Sequence, residues 1–373
     1  MELRKIFFAA LCGVAVTTAF TSCDDDDESY NPYRYGQTAL PQFRGYVLNE
    51  GSYALNNTSI SYFDAASDTT TSIANDLYFI QNGKNLGDTG QDMIVENNAV
   101  YVSVYGSSYI AKLNLGGVEE QRFTCDASIG QPRYLAEEDG YLYATTYGGY
   151  VLKLKASDLS FVDTLKVGPA PERILEKDGK LYLVCGNTMD YLEDHRLFIV
   201  DTNDFTQNGV KTVDVMSNPQ TVVESGDYIF IQGYGNDWTN TPLWVYDTKT
   251  GKAEDTGLLA TYIAPAANSG EVLAVFSMTD WNTWVPSNTF FTVNGANPAA
   301  KTDVTEQFVA AEPGLASCSL YSLSAGKDGS FYLMQSLYSA GDGTVYHFNA
   351  QYGLAGKFTS WGQNPKKVVL VSE

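Results

Sequence analysis

Thr89-Gly-Gln-Asp-Met-Ile-Val-Glu-Asn-Asn-Ala-Val-Tyr-Val-Ser-Val104 and Ile129-Gly-Gln-Pro-Arg-Tyr-Leu-Ala-Glu-Glu-Asp-Gly-Tyr-Leu-Tyr-Ala144 are two copies of one pattern. Pro171-Glu-Arg-Ile-Leu-Glu-Lys-Asp-Gly-Lys-Leu-Tyr-Leu-Val184 and Asn218-Pro-Gln-Thr-Val-Val-Glu-Ser-Gly-Asp-Tyr-Ile-Phe-Ile231 repeat it. Each copy is a short strand, a tight turn (Asp-Gly or Ser-Gly in the last three), and a β-branched or aromatic strand. A loop and a third strand follow each pair, at Tyr109–Asn114, Tyr150–Lys155, Leu197–Asp201 and Leu243–Asp247. Phe161–Val167 and Lys211–Val215 read as fourth strands. Pro132, Pro171 and Pro219 lie 39 and 48 residues apart, the spacing of four-stranded propeller blades.

Two further copies cover Tyr262–Asn294 and Leu320–Asn349. The first, Phe43–Ile73, lacks an opening strand, and Gln363-Asn-Pro-Lys-Lys-Val-Val-Leu-Val371 is an opening strand with no blade behind it. The two fragments complete each other. The expected fold is therefore all-β, a seven-bladed β-propeller whose C-terminal strand closes the ring and removes the exposed edges. An open solenoid or a pair of sandwiches leaves that last strand unexplained. No helical periodicity of useful length interrupts the repeats.

The N-terminus carries different information. Arg4 and Lys5 precede an apolar run from Ile6 to Phe20, too short for the roughly 20 residues of a membrane helix. Thr21-Ser22-Cys23 then fits a lipobox with Cys23 as the lipidated residue, and Asp24-Asp-Asp-Asp-Glu28 is a run of like charges that stays solvated. The expected organisation is a lipoprotein signal over 1–22, a lipidated, acidic, flexible tether over 23–41, and one propeller domain over 42–373. The chain is then anchored to a membrane rather than spanning it.

Removing residues 1–22 takes away Arg4, Lys5 and Glu2, so 21 of 23 basic and 43 of 44 acidic residues remain. A surface that acidic disfavours nucleic acid and anionic membranes as partners. Cys125, Cys185 and Cys318 are an odd, irregularly spaced set. Cys185 ends the apolar run Leu181–Cys185 and reads as a buried thiol, and nothing in the spacing supports a bridge between Cys125 and Cys318. His195 and His347 are the only histidines, too few for a zinc or copper centre. Neither a Gly-x-Ser-x-Gly elbow, a His-Glu-x-x-His pair nor a nucleotide-binding glycine loop is present. No catalytic residue, metal or cofactor is assigned.

In a propeller, the loops joining strands two and three share one face with those joining successive blades. The pattern places an aromatic from every blade there: Tyr53, Tyr105, Tyr147, Tyr191 beside Asn187, Tyr234 with Asn236-Asp237-Trp238, Asp280 with Trp281 and Trp284, and Tyr338. Tyrosine and tryptophan offer a flat apolar face with a hydrogen-bonding tip, which suits a large, partly polar ring or a sugar. Glu50, Asp92, Asp237 and Asp280 are candidate acceptors around it. Tyr101, Tyr143 and Tyr182, inside strands, are assigned to packing between blades, and His195 to a solvated loop.

Asn49-Glu-Gly-Ser-Tyr53, Asn56-Asn-Thr-Ser-Ile-Ser-Tyr-Phe-Asp64 and the Gln131-Pro132 and Asn218-Pro219 blade openings resemble surface lipoproteins of Bacteroidetes with a YncE-like seven-bladed propeller. The resemblance spans the body of the chain. Its BtuG-like members bind cobalamin at the cell surface and cap a TonB-dependent outer-membrane transporter. The resemblance thus implies an outward-facing, outer-membrane lipoprotein that binds a corrinoid without turnover. Two alternatives stand beside it: a glycan-binding propeller of a polysaccharide-uptake system, and a protein-docking module with no small ligand. A propeller lyase or lactonase is the enzyme reading.

Overall fold

A strand with apolar side chains on both faces needs a partner sheet on either side, and the repeats supply one in each direction. A computed structural model describes residues 30–66, 72–73, 76–186, 193–235 and 240–372. The chain divides into Met1–Asn31 and Pro32–Glu373, and the second unit is described here. The signal segment, Cys23 and the acidic run lie outside the described residues.

Seven four-stranded antiparallel sheets form the unit. Blade 2 hydrogen-bonds Gly90–Glu96, Ala99–Val104, Tyr109–Asn114 and Glu119–Thr124 in that order. Blades 3 to 7 open with Pro132–Glu138, Pro171–Lys177, Pro219–Ser225, Tyr262–Pro265 and Leu320–Ala325. Blade 1 joins the two ends of the chain in the order Pro365–Ser372, Phe43–Asn49, Ser59–Asp64, Ser72–Ile73. Its closing pair runs from Phe43 opposite Ser372 to Asn49 opposite Pro365. The closure expected from the orphan C-terminal strand is thus present.

Burial follows position in the blade. Ala99–Val104 is buried at every residue, whereas the outermost Glu119–Thr124 is largely exposed. Among the described residues the core falls into seven clusters, each between two adjacent blades. Tyr101, Tyr143 and Tyr182 sit in three of them, and the Tyr101 hydroxyl donates to the Ala156 carbonyl of the next blade at 2.8 Å. The first turns are hairpins with left-handed central residues, Asn97-Asn98, Asp139-Gly140 and Asp178-Gly179, which match the twist of the flanking strands.

Two differences from the sequence reading are local. Two short helices, Leu77–Asn82 and Thr305–Ala311, lie in inter-blade connections and insert Leu77, Tyr78 and Phe308 into the core. One or two turns are too short for periodicity to separate them from loop. Residues 32–41, expected within the tether, belong to the folded unit. There the Leu40 side chain is buried, and the Gln37 amide donates to Gln81 Oε1 at 2.7 Å. Cys125, Cys185 and Cys318 are separate free thiols in three different clusters, and the Cys125–Cys318 bridge that the sequence left unsupported is not formed. Burial pushes the Cys125 thiol up to about 12 and that of Cys318 to about 11, which makes both inert.

Deleting residues 365–373 removes buried Val368 and Val371, each contributing about 1.5–3 kcal/mol, together with the ladder that closes the ring. The truncated protein is expected to lose its cooperative thermal transition in calorimetry. A transition at the full-length temperature would show that closure does not hold the ring.

Candidate functional site

The innermost strand of each blade runs along the central channel, and a repeated irregularity decides what it presents. The register slips between Gly90 and Asp92, Pro132 and Leu135, Pro171 and Ile174, Pro219 and Thr221, and Leu320 and Ser322. A β-bulge leaves a residue unpaired and re-aims its side chain. At these five bulges the chain places Gln91, Arg133 with Tyr134, Glu172 with Arg173, Gln220 and Tyr321. Proline begins three of these strands, where no ladder N–H is needed.

The bulged side chains bind one another across blades. Arg133 donates to both oxygens of Glu172 at 2.7 and 2.6 Å and to Gln91 Oε1 at 2.9 Å, tying blades 2, 3 and 4 together. Burial acts to lower the Arg133 pKa, but the adjacent Glu172 carboxylate outweighs it and keeps the guanidinium charged. Lys366 meets Glu50 at 2.9 Å, and Lys367 meets Asp92 at 3.1 Å. The Tyr321 hydroxyl also donates to Glu50. Burial, reinforced by the Glu50 charge, pushes the Tyr321 pKa far up, so it stays a hydrogen-bond donor. Glu50 and Asp92, expected as ligand acceptors, are thus engaged by lysines.

The predicted aromatics separate into two groups. Tyr105 and Tyr147 are half-buried at the mouth, their ring centroids 6.0 Å apart, with the Arg133 guanidinium 5.3 and 5.8 Å from them. Tyr234 is also half-buried, and burial raises its pKa. The outer group is exposed: Tyr53 at 76 %, Trp281 at 67 %, Trp284 at 70 % and Tyr338 at 57 %. Trp281 and Trp284 stand edge to face, 5.4 Å between centroids, at the tip of a hairpin with ten-residue strands. The corresponding strands of blade 2 have six residues, so the tip stands on the order of 13 Å further out at about 3.3 Å per residue. Asp280 accepts from the amides of Asn282 and Thr283, which hold its carboxyl below the usual range, and so shapes that turn. Asn187, Tyr191, Asn236, Asp237 and Trp238 lie outside the described residues.

His195 is 61 % exposed and 3.6 Å from Asp214, a solvated loop residue as expected. Trp361, in the connection leading into the closing strand, is an exposed aromatic that the loop reading missed. The reading also missed the channel set, although its signal is present: a polar or charged residue recurs at the second position of the opening strands, at Gln91, Arg133, Glu172, Gln220 and Lys366.

The opposite mouth differs. Glu96, Glu137, Glu138 and Glu176 line a cavity of about 370 Å³ there. Burial, reinforced by the Glu138 charge, raises the Glu176 carboxyl to about 7. Among the described residues no three His, Cys, Asp or Glu side chains gather as metal ligands.

No family model and no curated protein matches the chain. Solved structures do. A quinonprotein alcohol dehydrogenase-like protein from Bacteroides thetaiotaomicron superimposes with a TM-score of 0.59 at 12 % identity, over 87 % of this chain and 77 % of that one. Hydrazine synthase of Kuenenia stuttgartiensis gives 0.53 at 12 %, over 67 % and 73 %. Virginiamycin B lyase of Staphylococcus aureus gives 0.51 at 12 %, over 80 % and 90 %. What they share with this chain is the propeller. Their differing names illustrate that the fold carries many functions, so function here is argued from the site.

Two predictions follow from the ionic layout. Glu172→Ala strands Arg133 without its partner and is expected to cost about 3–5 kcal/mol in urea unfolding, whereas Glu172→Leu with Arg133→Met recovers most of that loss. Equal losses in both would mean the pair is not coupled. Glu176 binds a proton in the fold that the unfolded chain releases, so its contribution favours folding at low pH and disappears as pH rises from about 4.5 to about 7. Glu176→Gln is therefore expected to raise Tm at pH 8 and leave it unchanged at pH 4, read by scanning calorimetry.

Proposed function

We propose that the chain is a lipid-anchored outer-membrane protein, displayed outward, that captures a corrinoid on the aromatic face and passes it unreacted to a TonB-dependent transporter. The observation that carries this reading is the outer aromatic group, above all the raised Trp281–Trp284 pair. Exposed tryptophans are costly without a partner, and clustered exposed apolar groups mark interaction sites. Tyr105 and Tyr147, half-buried and 6.0 Å apart between ring centroids, add flat faces with hydroxyl donors. A corrin ring with peripheral amides needs both, over a broad and shallow surface.

Binding without turnover is favoured by how the ionisable groups are used. Glu50, Asp92 and Glu172 each face a cation already, so none is poised as a general base toward a ligand. The acidic run after Cys23 is consistent with display on a tether, and the acidic body keeps the protein off anionic membranes.

Calorimetric titration with cyanocobalamin is expected to give saturable one-to-one binding. Trp281→Ala or Trp284→Ala is expected to weaken it tenfold or more, about 1.4 kcal/mol, as for an aromatic anchor. A neutral oligosaccharide binding in place of cobalamin, with the same sensitivity, would move this face to glycan capture. Silence from both would leave it as a surface for docking a protein.

A further inference from the structure

Below the mouth, the channel holds a cavity of about 110 Å³ walled by inner-strand and adjacent residues of blades 1 and 3 to 7. Its walls include Arg173, Tyr134, Thr221, Tyr262, Tyr321 and Lys366. A single water needs only about 10–15 Å³ on such a measure, so the space admits a small organic molecule.

Arg173 is out of balance with its surroundings. Every other cation in the channel has a carboxylate: Arg133 has Glu172, Lys366 has Glu50, and Lys367 has Asp92. Arg173 makes no ion pair and no hydrogen bond among the described residues, and its Nε is buried without an acceptor. Its one close neighbour of note is the Tyr134 ring, 4.6 Å from the guanidinium carbon. A guanidinium has five donors and cannot shed its proton, so leaving it unmatched costs free energy. That cost falls in a protein of net charge −21, with many carboxylates to offer.

We propose that the central channel is a second binding site, distinct from the aromatic face, for a small organic carboxylate held by Arg173. The guanidinium fork matches a carboxylate with two parallel N–H···O bonds. Tyr134 and Thr221 line the same cavity, and Tyr262 and Tyr321 with Ile263 and Leu323 give it apolar wall for the body of the ligand. Those flat, partly apolar walls favour an organic acid over an inorganic anion, which would keep its hydration. The site does not depend on the corrinoid reading, because its elements lie in the inner strands and not in the rim loops.

The test is calorimetry and thermal melting of the purified protein with sodium acetate and sodium benzoate, against sodium chloride and sulfate at matched ionic strength. A saturable, carboxylate-specific response is expected. Arg173→Leu weakens it about tenfold or more, Arg173→Lys weakens it in part, and Trp281→Ala leaves it unchanged. Without ligand, Arg173→Leu is expected to melt no lower than the wild type, since it removes an unmatched charge. If that variant fails to fold, the lysine variant decides, and an unchanged carboxylate affinity there overturns the proposal. No response to either carboxylate, a response reproduced by chloride or sulfate, or one that survives Arg173→Leu also overturns it. Cobalamin titrated into the same variants reports on the aromatic face separately, so either site can fail without the other.

Discussion

Seven wedge-like sheets have fourteen apolar faces to cover, and only a closed ring covers them all. The pairing of Pro365–Ser372 with Phe43–Asn49 is what closes it. Side-chain contacts reinforce the joint: Asn364 Nδ2 donates to the Gly51 carbonyl at 2.8 Å, and Asn49 Nδ2 donates to the Ser360 carbonyl at 3.0 Å. The Glu50 and Gly51 amides reach the carbonyls of Asn364 and Gln363 at 2.9 and 3.1 Å. Asn49-Glu-Gly-Ser, a motif of the family resemblance, is thus largely spent on holding the two chain ends together. Its Glu50 side chain does the same through Lys366 and Tyr321. A likeness based on that motif speaks to ring closure more directly than to ligand.

Much of this architecture was legible because each blade repeats the same local chemistry. Asp139-Gly140 and Asp178-Gly179 announce hairpins, and Lys180–Cys185 reads as a strand buried on both faces, because a central strand between two neighbouring blades must be apolar throughout. Third strands such as Tyr109–Asn114 and Tyr150–Lys155 have the bounds the pattern gives. Outer strands such as Glu119–Thr124 are polar and largely exposed, and the two-residue Ser72–Ile73 leaves almost no pattern to read.

The site was less legible, for a physical reason. Sequence places Tyr105, Tyr147, Tyr53 and Trp281 alike in loops, but only geometry separates rings that clasp Arg133 from rings that face solvent. Likewise, a charged residue one step after a strand-opening proline looks like turn chemistry until the bulge turns it inward. The acidic totals hide the same distinction. The outer surface and the opposite mouth carry the excess of carboxylates, while among the described residues at the bulged end Arg133, Lys366 and Lys367 each meet a carboxylate and Arg173 does not.

The bulges separate two tasks that most folds entangle. Because the register slips at the same step in blade after blade, the side chains it exposes to the channel join blades mainly through polar pairs such as Arg133 with Glu172, and the apolar clusters are built mostly from the strands behind them. The channel lining is therefore a row of equivalent positions on a shared apolar frame, exchangeable as matched sets where they pair across blades. Drift at those positions could alter polarity, charge and bore width while the ring beneath stayed the same, so descendants of one stable scaffold could come to hold quite different molecules along its axis.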